Sequence, residues 1–340
     1  MSVARPTPSV VVVGGGHGCS RSLRALRRLE VDRTAVVTVA DDGGSSGRLR
    51  RDHDVVALGD LRMALLALAG DAAPPGEGSG EAAHERAAPD TGTIVALAGR
   101  RFERGELAGH SLGNLLLLGL IEEFEGDLVA ALDAFARLVG AVGRVLPATT
   151  VPVTLAAETA SGPVAGQVAV ATATRIHSVR LDPDDAPAAP GVLDALDAAD
   201  LVLLGPGSLY TSILPNLLVG GVADALRHTS ARVVLVGNLR EQPGETEGMD
   251  LADHVEALLQ HVPGLRLDVL LAHERSGREE GAATARDPLR IDEQRLAGLV
   301  GMIVRTDLGD ELDGHDPQRL AAAVADLLGL AGGLAGGLVA

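Results

Sequence analysis

A run of four valines that leads into glycines constrains the fold of this chain most. Residues 10–18 are VVVVGGGHG, and CSRSLRALRRL follows with the apolar spacing of a helix. Four valines suit a strand that is buried on both faces, as in a parallel sheet covered by helices. A strand, a glycine-rich turn and a helix in this order present free N–H groups to an anion such as a phosphate. A tight turn without a ligand fits this stretch equally well.

The same alternation of apolar runs and helical segments continues along the chain. It predicts an α/β fold, Rossmann-like and doubly wound, with a mostly parallel sheet. The further predicted strands lie within residues 34–40, 199–205, 231–238, 267–273 and 301–306. The further predicted helices lie within residues 60–70, 126–142 and 316–330.

Three departures from this alternation define the predicted domain organisation. A change of period at about 144–181 predicts a small β insertion, in which VPVTLAAE and VAGQVAVAT form a hairpin. Residues 72–92 are polar and of low complexity, which predicts a surface loop. We therefore predict one domain over residues 1–330 and a frayed tail at 331–340.

Composition excludes several classes of function. The net charge of −17 argues against binding to nucleic acid or to a membrane surface, because both demand basic faces. All 29 basic residues are arginines, which excludes Schiff-base chemistry and a Walker-type lysine. The single cysteine, Cys19, excludes a disulfide framework and is predicted to be a small packing residue. With no signal peptide or apolar membrane span in the sequence, we expect a cytoplasmic protein.

The segment ADDGGSSGRLR, residues 40–50, follows the second predicted strand. Ligand crevices of open α/β sheets lie at the carboxyl ends of the strands, so this position favours function over a plain polar turn. Asp41 and Asp42 could accept hydrogen bonds from sugar or base hydroxyls, or hold Mg²⁺ if the protein depends on it. The five residues from Gly43 to Gly47 can form a nest of N–H donors that Arg48 closes.

Three further segments place polar residues beside predicted strands or helices. In GPGSLYTSILPNLL, residues 205–218, hydroxyls and amides can hold a second anionic or sugar group, although each could be an ordinary helix cap. In AGHSLGNLLLLGL, residues 108–120, His110, Ser111 and Asn114 precede an apolar helix that they could simply cap. In GNLREQPGET the candidates are Asn238, Gln242, Glu245 and Thr246, beside a Pro-Gly turn.

A nicotinamide dinucleotide site is a minor alternative. Gly14 and Gly16 match the first two glycines of the G-x-G-x-x-G motif, but Cys19 stands in the third position. Asp41 lies near the place of a ribose-binding acid. Tyr210 is followed by Leu214 four residues later, so the tyrosine and lysine pair of one dehydrogenase class is missing. An NAD-dependent oxidoreductase is therefore a weak interpretation.

Seven motifs together resemble one known family. They are, in chain order, VVVVGGGHG, VTVADDGGSSGRLR, GDLR, LAGHSLGN, GRVLPAT, ADLVLLGPGSLYTSILPNLLV and QPGET. On these motifs the chain resembles the YvcK-type gluconeogenesis factors of the CofD-like superfamily, from about residue 10 to 262 and more faintly through HDPQRL at 315–320. A C-terminal tyrosine of the relatives is missing here, and Gly314 stands where their arginine precedes His-Asp.

The resemblance implies a Rossmann-like cytoplasmic protein that binds UDP-N-acetylglucosamine and controls cell shape and envelope during gluconeogenic growth. It implies a nucleotide-sugar or nucleotide-diphosphate ligand, a regulatory protein partner and a homo-oligomer, and it names no catalytic residue. The alternative is a transferase of the 2-phospho-L-lactate transferase type, Mg²⁺-dependent and acting on a deazaflavin. The ligand-binding residues predicted from the motifs and their neighbours are Gly14, Gly15, Gly16, His17, Gly18, Asp41, Asp42, Gly43, Gly44, Ser45, Ser46, Gly47, Arg48, His110, Ser111, Asn114, Gly205, Gly207, Ser208, Tyr210, Thr211, Ser212 and Asn238.

Overall fold

The computed structural model describes residues 6–70, 91–274, 288–310 and 314–330 of the chain. Its strands are β1 (Ser9–Gly14), β2 (Asp32–Val37), β3 (Arg144–Pro147), β4 (Thr154–Thr159), β5 (Gly162–Ala165), β6 (Ile176–Asp182), β7 (Leu201–Leu204), β8 (Arg232–Val236), β9 (Val269–His273), β10 (Ile303–Thr306), β11 (Gly309–Asp310) and β12 (Gly314–His315).

Helices connect and cover these strands. They are α1 (Gly16–Leu26), α2 (Gly44–His53), α3 (Gly59–Ala69), α4 (Thr91–Gly99), α5 (Leu112–Glu123), α6 (Leu128–Val139), α7 (Gln167–Thr172), α8 (Val192–Asp197), α9 (Leu214–Leu217), α10 (Val222–His228), α11 (Leu251–His261), α12 (Glu293–Leu296) and α13 (Pro317–Leu328). A π-helical turn, Leu209–Ile213, leads into α9. Within the described residues no helix is both long and apolar enough to span a bilayer.

Seven parallel strands form the main sheet, in the order β10-β9-β8-β7-β1-β2-β3. The chain starts at β1 in the interior of the sheet, builds β2 and β3 on one side, and returns later to build β7 on the other. The predicted α/β, Rossmann-like fold is confirmed. β1 is therefore the point where the strand order changes direction, and ligand crevices of such sheets lie at the carboxyl ends of the strands there.

The four valines of β1 are fully buried, as their sequence predicts. β1 pairs with β2 and with β7, so its backbone groups bond on both sides while its side chains pack on both faces. The first helix packs against α3 and α13. This burial anchors the glycine turn that follows β1, because neither the strand nor the helix can move without opening the core.

The predicted β insertion needs two corrections. Arg144–Pro147 is not part of it, because this segment pairs with Thr34–Val37 as the edge strand of the main sheet. The insertion is a three-stranded antiparallel sheet in the order β5-β4-β6, with the predicted hairpin as β4 and β5. The second half of VAGQVAVAT is the helix α7 rather than a strand, and it starts after Gly166, whose φ is 98°.

Other boundaries differ from the predicted ones in detail. The second strand ends at Val37, three residues before the end of the predicted run at 40. The helix predicted at 126–142 is α6, which Asp127 caps by accepting a hydrogen bond from Ala130 N–H. The predicted loop at 72–92 lies outside the described residues up to residue 90, and its last two residues begin α4. The predicted tail at 331–340 also lies outside them.

Candidate functional site

A cleft of about 500 Å³ opens at the carboxyl ends of β1, β2 and β7. This volume lies within the range of small-molecule sites, roughly 300–1,000 Å³. Three predicted turns contribute to its wall, together with α3, α5 and the β insertion. The lining residues are Gly15, Gly16, His17, Gly18, Thr38, Asp41, Gly43, Gly44, Ser45, Ser46, Gly59, Asp60, Arg62, Met63, Arg101, Asn114, Gln167, Gly207, Ser208, Thr211, Ser212 and Gln242.

The N-terminus of α1 faces this cleft without a capping side chain, because its N-cap residue is Gly15. The Gly16 N–H donates to Asp60 Oδ2 over 2.8 Å, so one donor of the turn is already used inside the protein. Gly18 packs on the turn after β7, where a Cβ atom would lie 2.0 Å from the Pro206 carbonyl oxygen. The exposed residue His17 stands at the mouth of the cleft. Part of the glycine motif therefore serves packing, and the rest leaves the helix N-terminus accessible.

The N-terminus of α2 faces the same cleft, and its N-cap residue Gly43 also brings no side chain. Asp41 Oδ1 accepts a hydrogen bond from Gly43 N–H over 2.9 Å, which holds the turn in place. Ser46 Oγ accepts from Gly59 N–H over 3.2 Å and joins α2 to the start of α3. Unpaired N–H groups and the helix dipole make such an end favourable for anions.

A buried polar cluster positions Ser45 in this wall. Asn114 Nδ2 donates to Ser45 Oγ over 3.1 Å, and His110 Nδ1 lies 3.0 Å from the same oxygen. Burial lowers the pKa of His110, and the positive charge of Arg48 lowers it further. Of these predicted residues, Ser45 and Asn114 line the cleft, whereas His110 lies behind Ser45. Ser111 caps α5 by accepting from Asn114 N–H, which is the ordinary role the sequence left open.

The third predicted turn is already occupied by an acid of the protein itself. Glu245 is buried, and its Oε1 accepts from the N–H groups of Tyr210 and Thr211 over 2.7 and 3.0 Å. Its Oε2 accepts from Thr211 Oγ1 over 3.1 Å. Burial raises the pKa of Glu245, while these donors lower it. A carboxylate thus occupies the helix entrance that the sequence predicts to hold an anion, and Ser208, Thr211 and Ser212 are the hydroxyl residues of this turn that line the cleft.

We expect Thr211→Val to destabilise the protein by about 1 kcal/mol, because it removes a buried hydroxyl that donates to Glu245 while keeping the side-chain shape. Urea denaturation measures the change. Thr34→Val in the half-buried part of β2 is the control and should stay within about 0.5 kcal/mol of the wild type. Equal unfolding midpoints for all three proteins would show that the hydroxyl does not support the Glu245 contact.

Two predicted side chains point elsewhere than the sequence suggests. Arg48 does not close the nest of N–H donors, since it lies a turn further along α2 and its Nη2 donates to the Ala108 carbonyl over 2.8 Å. Asp42 turns towards the β insertion, where Oδ1 accepts from Val168 N–H over 3.0 Å. Neither lines the cleft within the described structure. Gly14, Gly47, Gly205, Tyr210 and Asn238 also lie outside the cleft wall.

The two predicted Mg²⁺ ligands, Asp41 and Asp42, therefore do not face the same site. Asp41 lines the cleft and Asp42 does not, whereas Asp60 does. Among the described residues no group of three or more histidine, cysteine, aspartate or glutamate side chains gathers as a metal site. Asp41 and Asp60 are the two carboxylates that share this wall, and their charges interact. Any divalent ion in the cleft would meet these two acids rather than the adjacent pair in the sequence.

Sequence reasoning missed Asp60 and Arg62 as site residues. Burial and the charge of Asp41 raise the pKa of Asp60 to about 6, although Gly16 N–H and Arg62 oppose the shift. The only signal was the motif GDLR, which we used for the resemblance and not for the site. Also missed were Thr38, Gly59, Met63, Arg101 and Gln167. Cys19, in contrast, is buried as predicted, and burial raises the pKa of its thiol to about 12.

Comparison with known proteins decides the family. The family described as "2-phospho-L-lactate transferase CofD" matches residues 10–308 of this chain. The chain belongs to the CofD family. A Mycobacterium tuberculosis protein named "Putative gluconeogenesis factor" is 44% identical over 94% of the chain and 90% of its own length. The "Gluconeogenesis factor" of Bacillus subtilis is 36% identical over 94% of the chain and 98% of its length.

A solved structure agrees with these relatives. The crystal structure of a UPF0052 family member from Bacillus halodurans superposes on this chain with a TM-score of 0.81. The two sequences are 35% identical, and the match covers 94% of this chain and 99% of the other. The family resemblance inferred from the motifs is confirmed, and so is the fold that it implies.

Proposed function

We propose that this CofD family member is a regulatory protein that binds a nucleotide sugar through its diphosphate. The observation that carries the proposal is that α1 and α2 begin in one cleft and that both N-cap residues are glycines, although Asp60 accepts the Gly16 N–H of α1. A diphosphate has two adjacent anionic groups, one for each helix N-terminus. The third helix entrance is closed by Glu245, which leaves the remaining polar wall for hydroxyls of the ligand.

The proposed ligand and biological role are those that the motif resemblance implies. UDP-N-acetylglucosamine is the ligand to test first, as a signal for the control of cell shape and envelope during gluconeogenic growth. We propose that the ligand-bound protein acts in the cytoplasm by engaging a regulatory protein partner, as one domain over residues 1–330 and as a homo-oligomer. The name gluconeogenesis factor at 36–44% identity supports a role in that metabolic state.

A second candidate function is supported by the family description, which names 2-phospho-L-lactate transferase. In that case the protein would transfer a phospholactyl group from an activated nucleotide to a deazaflavin hydroxyl, and the diphosphate bond would break to release the nucleoside monophosphate. Asp41 and Asp60 would hold Mg²⁺, which supplies positive charge to the diphosphate as negative charge develops on it. The helix N-termini would support the same charge.

Isothermal titration with UDP-N-acetylglucosamine, with and without Mg²⁺, separates the two functions when the same mixture is analysed by mass spectrometry. Binding without turnover supports the regulatory protein. Failure of UDP-N-acetylglucosamine to bind would reject it as the ligand, and failure of every nucleotide sugar to bind would reject the regulatory proposal. Turnover of a guanosine-activated phospholactate with a deazaflavin acceptor would then establish the transferase.

His17 lines the cleft in the first turn of α1 and is exposed, so a substitution there tests whether the diphosphate binds at this helix N-terminus. His17→Glu places a carboxylate where the diphosphate is proposed to bind. We expect the affinity for UDP-N-acetylglucosamine to fall by about tenfold, while stability stays equal or rises slightly, since an acid suits a helix N-terminus. His17→Gln is the neutral control and should keep the wild-type affinity. Equal affinities for both variants would place the diphosphate elsewhere.

A further inference from the structure

Arg62 is a buried cation in the cleft wall that forms no direct ion pair within the described structure, although the charge of Asp60 acts on it. It belongs to α3, its residue is only 4% exposed, and it lines the cleft. Its Nε has no hydrogen-bond partner among the described residues, and no ion pair of Arg62 occurs within them. A buried guanidinium without such partners is costly in free energy, so its presence in a cleft wall points to a partner that arrives with a ligand.

The position of Arg62 is fixed by the backbone around it. A Cβ atom on Gly113 would lie 2.7 Å from Arg62 Cδ, so the side chain passes directly over this glycine of α5. The stem is thereby packed against α5 while the head group remains at the cleft. Such packing reduces the conformational entropy that the arginine would lose on binding.

The surroundings of Arg62 favour an anion as the missing partner. Burial and the charge of Arg101 together lower the pKa of Arg62 to about 10, although Asp60 opposes the shift, so the guanidinium is still protonated at neutral pH. Arg101 lines the same cleft, and its Nη1 donates to the Gly109 carbonyl over 2.9 Å. Asp60 attracts Arg62 but also accepts the hydrogen bond of Gly16.

Asn114 offers a complementary acceptor beside this cation. It follows Gly113 in α5 and is 1% exposed, and its Oδ1 has no hydrogen-bond partner among the described residues. Its Nδ2 donates to Ser45 Oγ, which fixes the orientation of the amide. A hydroxyl or amide N–H of a ligand would satisfy this oxygen.

We infer that Arg62 and Asn114 form a second subsite that binds a carboxylate or phosphate on the sugar half of the ligand, with a neighbouring hydroxyl or N–H donated to Asn114. The inference rests on the proposed function, because the diphosphate at the N-termini of α1 and α2 brings the sugar into the cleft. A guanidinium binds carboxylate and phosphate alike through two parallel hydrogen bonds. The preferred ligand is thus a nucleotide sugar with an additional acidic group.

The experiment compares neutral nucleotide sugars with acidic derivatives of the same compounds by isothermal titration of the full chain. UDP-glucose is paired with UDP-glucuronic acid, which has a carboxylate at C6. UDP-N-acetylglucosamine is paired with its 6-phosphate and with its 3-O-lactyl ether, so that the arms separate phosphate from carboxylate and C6 from C3. We expect at least one acidic derivative to bind about tenfold more tightly than its neutral parent.

Variants of Arg62 test whether this residue causes the preference for acidic over neutral nucleotide sugars. Arg62→Met should abolish the difference between acidic and neutral ligands. Arg51→Met, at an exposed arginine of α2 that does not line the cleft, is the control and should keep the preference. If Arg62→Met does not unfold cooperatively, Arg62→Lys replaces it, with an intermediate preference expected because lysine cannot bind bidentately.

The outcomes are distinguishable. If the neutral sugars bind and no acidic derivative binds more tightly, the second subsite is rejected and the proposed function stands. If Arg62→Met keeps the wild-type preference, Arg62 is not the anion receptor. If no nucleotide sugar of either kind binds, the proposed function fails and the subsite fails with it.

Discussion

Gly18→Ala should destabilise the protein by about 3 kcal/mol and abolish the proposed binding of UDP-N-acetylglucosamine. The new Cβ atom would lie 2.0 Å from the Pro206 carbonyl oxygen, a backbone atom that no rotamer change can move. Helix α1 would have to shift away from the turn after β7, and with it one of the two helix N-termini at the cleft. Urea denaturation and titration of the folded fraction measure the two effects.

Gly119→Ala is the matched control. Gly119 is exposed on α5, and nothing lies within 4 Å of the position its Cβ atom would take. Alanine favours a helix interior over glycine by about 1 kcal/mol, so this variant should be slightly stabilised and bind normally. A Gly18→Ala protein with wild-type stability would show that the contact between α1 and the Pro206 turn is loose.

Local patterns in the sequence were sufficient to predict much of the fold. A strand, a glycine turn and a helix are all defined within twenty residues, which is why the buried valines of β1 and the start of α1 were predicted correctly. Arg144–Pro147 was assigned to the wrong sheet because its partner, β2, lies about a hundred residues earlier. A four-residue apolar run does not reveal its partner.

The candidate site, like the fold, could be predicted where the signal is local and only incompletely where it depends on distant contacts. The turns that line the cleft were identified from glycines and hydroxyls that stand next to predicted strands. Asp60 contacts Gly16 across 44 positions of the chain, and Glu245 caps Thr211 across 34. Both acids are visible in the sequence, but the sequence does not show whether each of them faces a ligand or another backbone segment. That distinction depends on tertiary contacts.

Asp60→Asn should stabilise the protein at neutral pH, in spite of the loss of a charge next to a helix N-terminus. The pKa of Asp60 rises from 3.8 to about 6 because burial and Asp41 disfavour its ionised form. The folded state therefore holds the proton more tightly than the unfolded chain, and this group reduces stability as pH rises from about 4 to about 6. The asparagine can still accept the hydrogen bond from Gly16 N–H.

The variant should be about 1–3 kcal/mol more stable than the wild type at pH 7, and the difference should vanish near pH 4. Urea denaturation at intervals between pH 4 and pH 7.5 measures it. Asp52→Asn on the exposed face of α2 is the control and should follow the wild type throughout. A stability difference for Asp60→Asn that is constant with pH would mean that Asp60 does not titrate in this range.

Ligand binding should depend on the same proton. An ionised Asp60 at the N-terminus of α1 repels a diphosphate, so without Mg²⁺ the wild type should lose affinity for UDP-N-acetylglucosamine as pH rises through about 6. Asp60→Asn should bind with little dependence on pH. If Asp60 and Asp41 hold Mg²⁺ as proposed for the transferase, the order should reverse in its presence, because the ion would lose a carboxylate ligand in the asparagine variant.

Asp42→Asn completes this test, since Asp42 points towards Val168 and not into the cleft. The Asp42→Asn variant should keep any increase in affinity for UDP-N-acetylglucosamine that Mg²⁺ causes and that Asp60→Asn loses. If Asp42→Asn loses it instead, the adjacent pair predicted from the sequence holds the ion. If Mg²⁺ stimulates neither the wild type nor the variants, Asp60 and Asp41 do not hold the ion, and the pH dependence of binding without Mg²⁺ is the remaining test of Asp60.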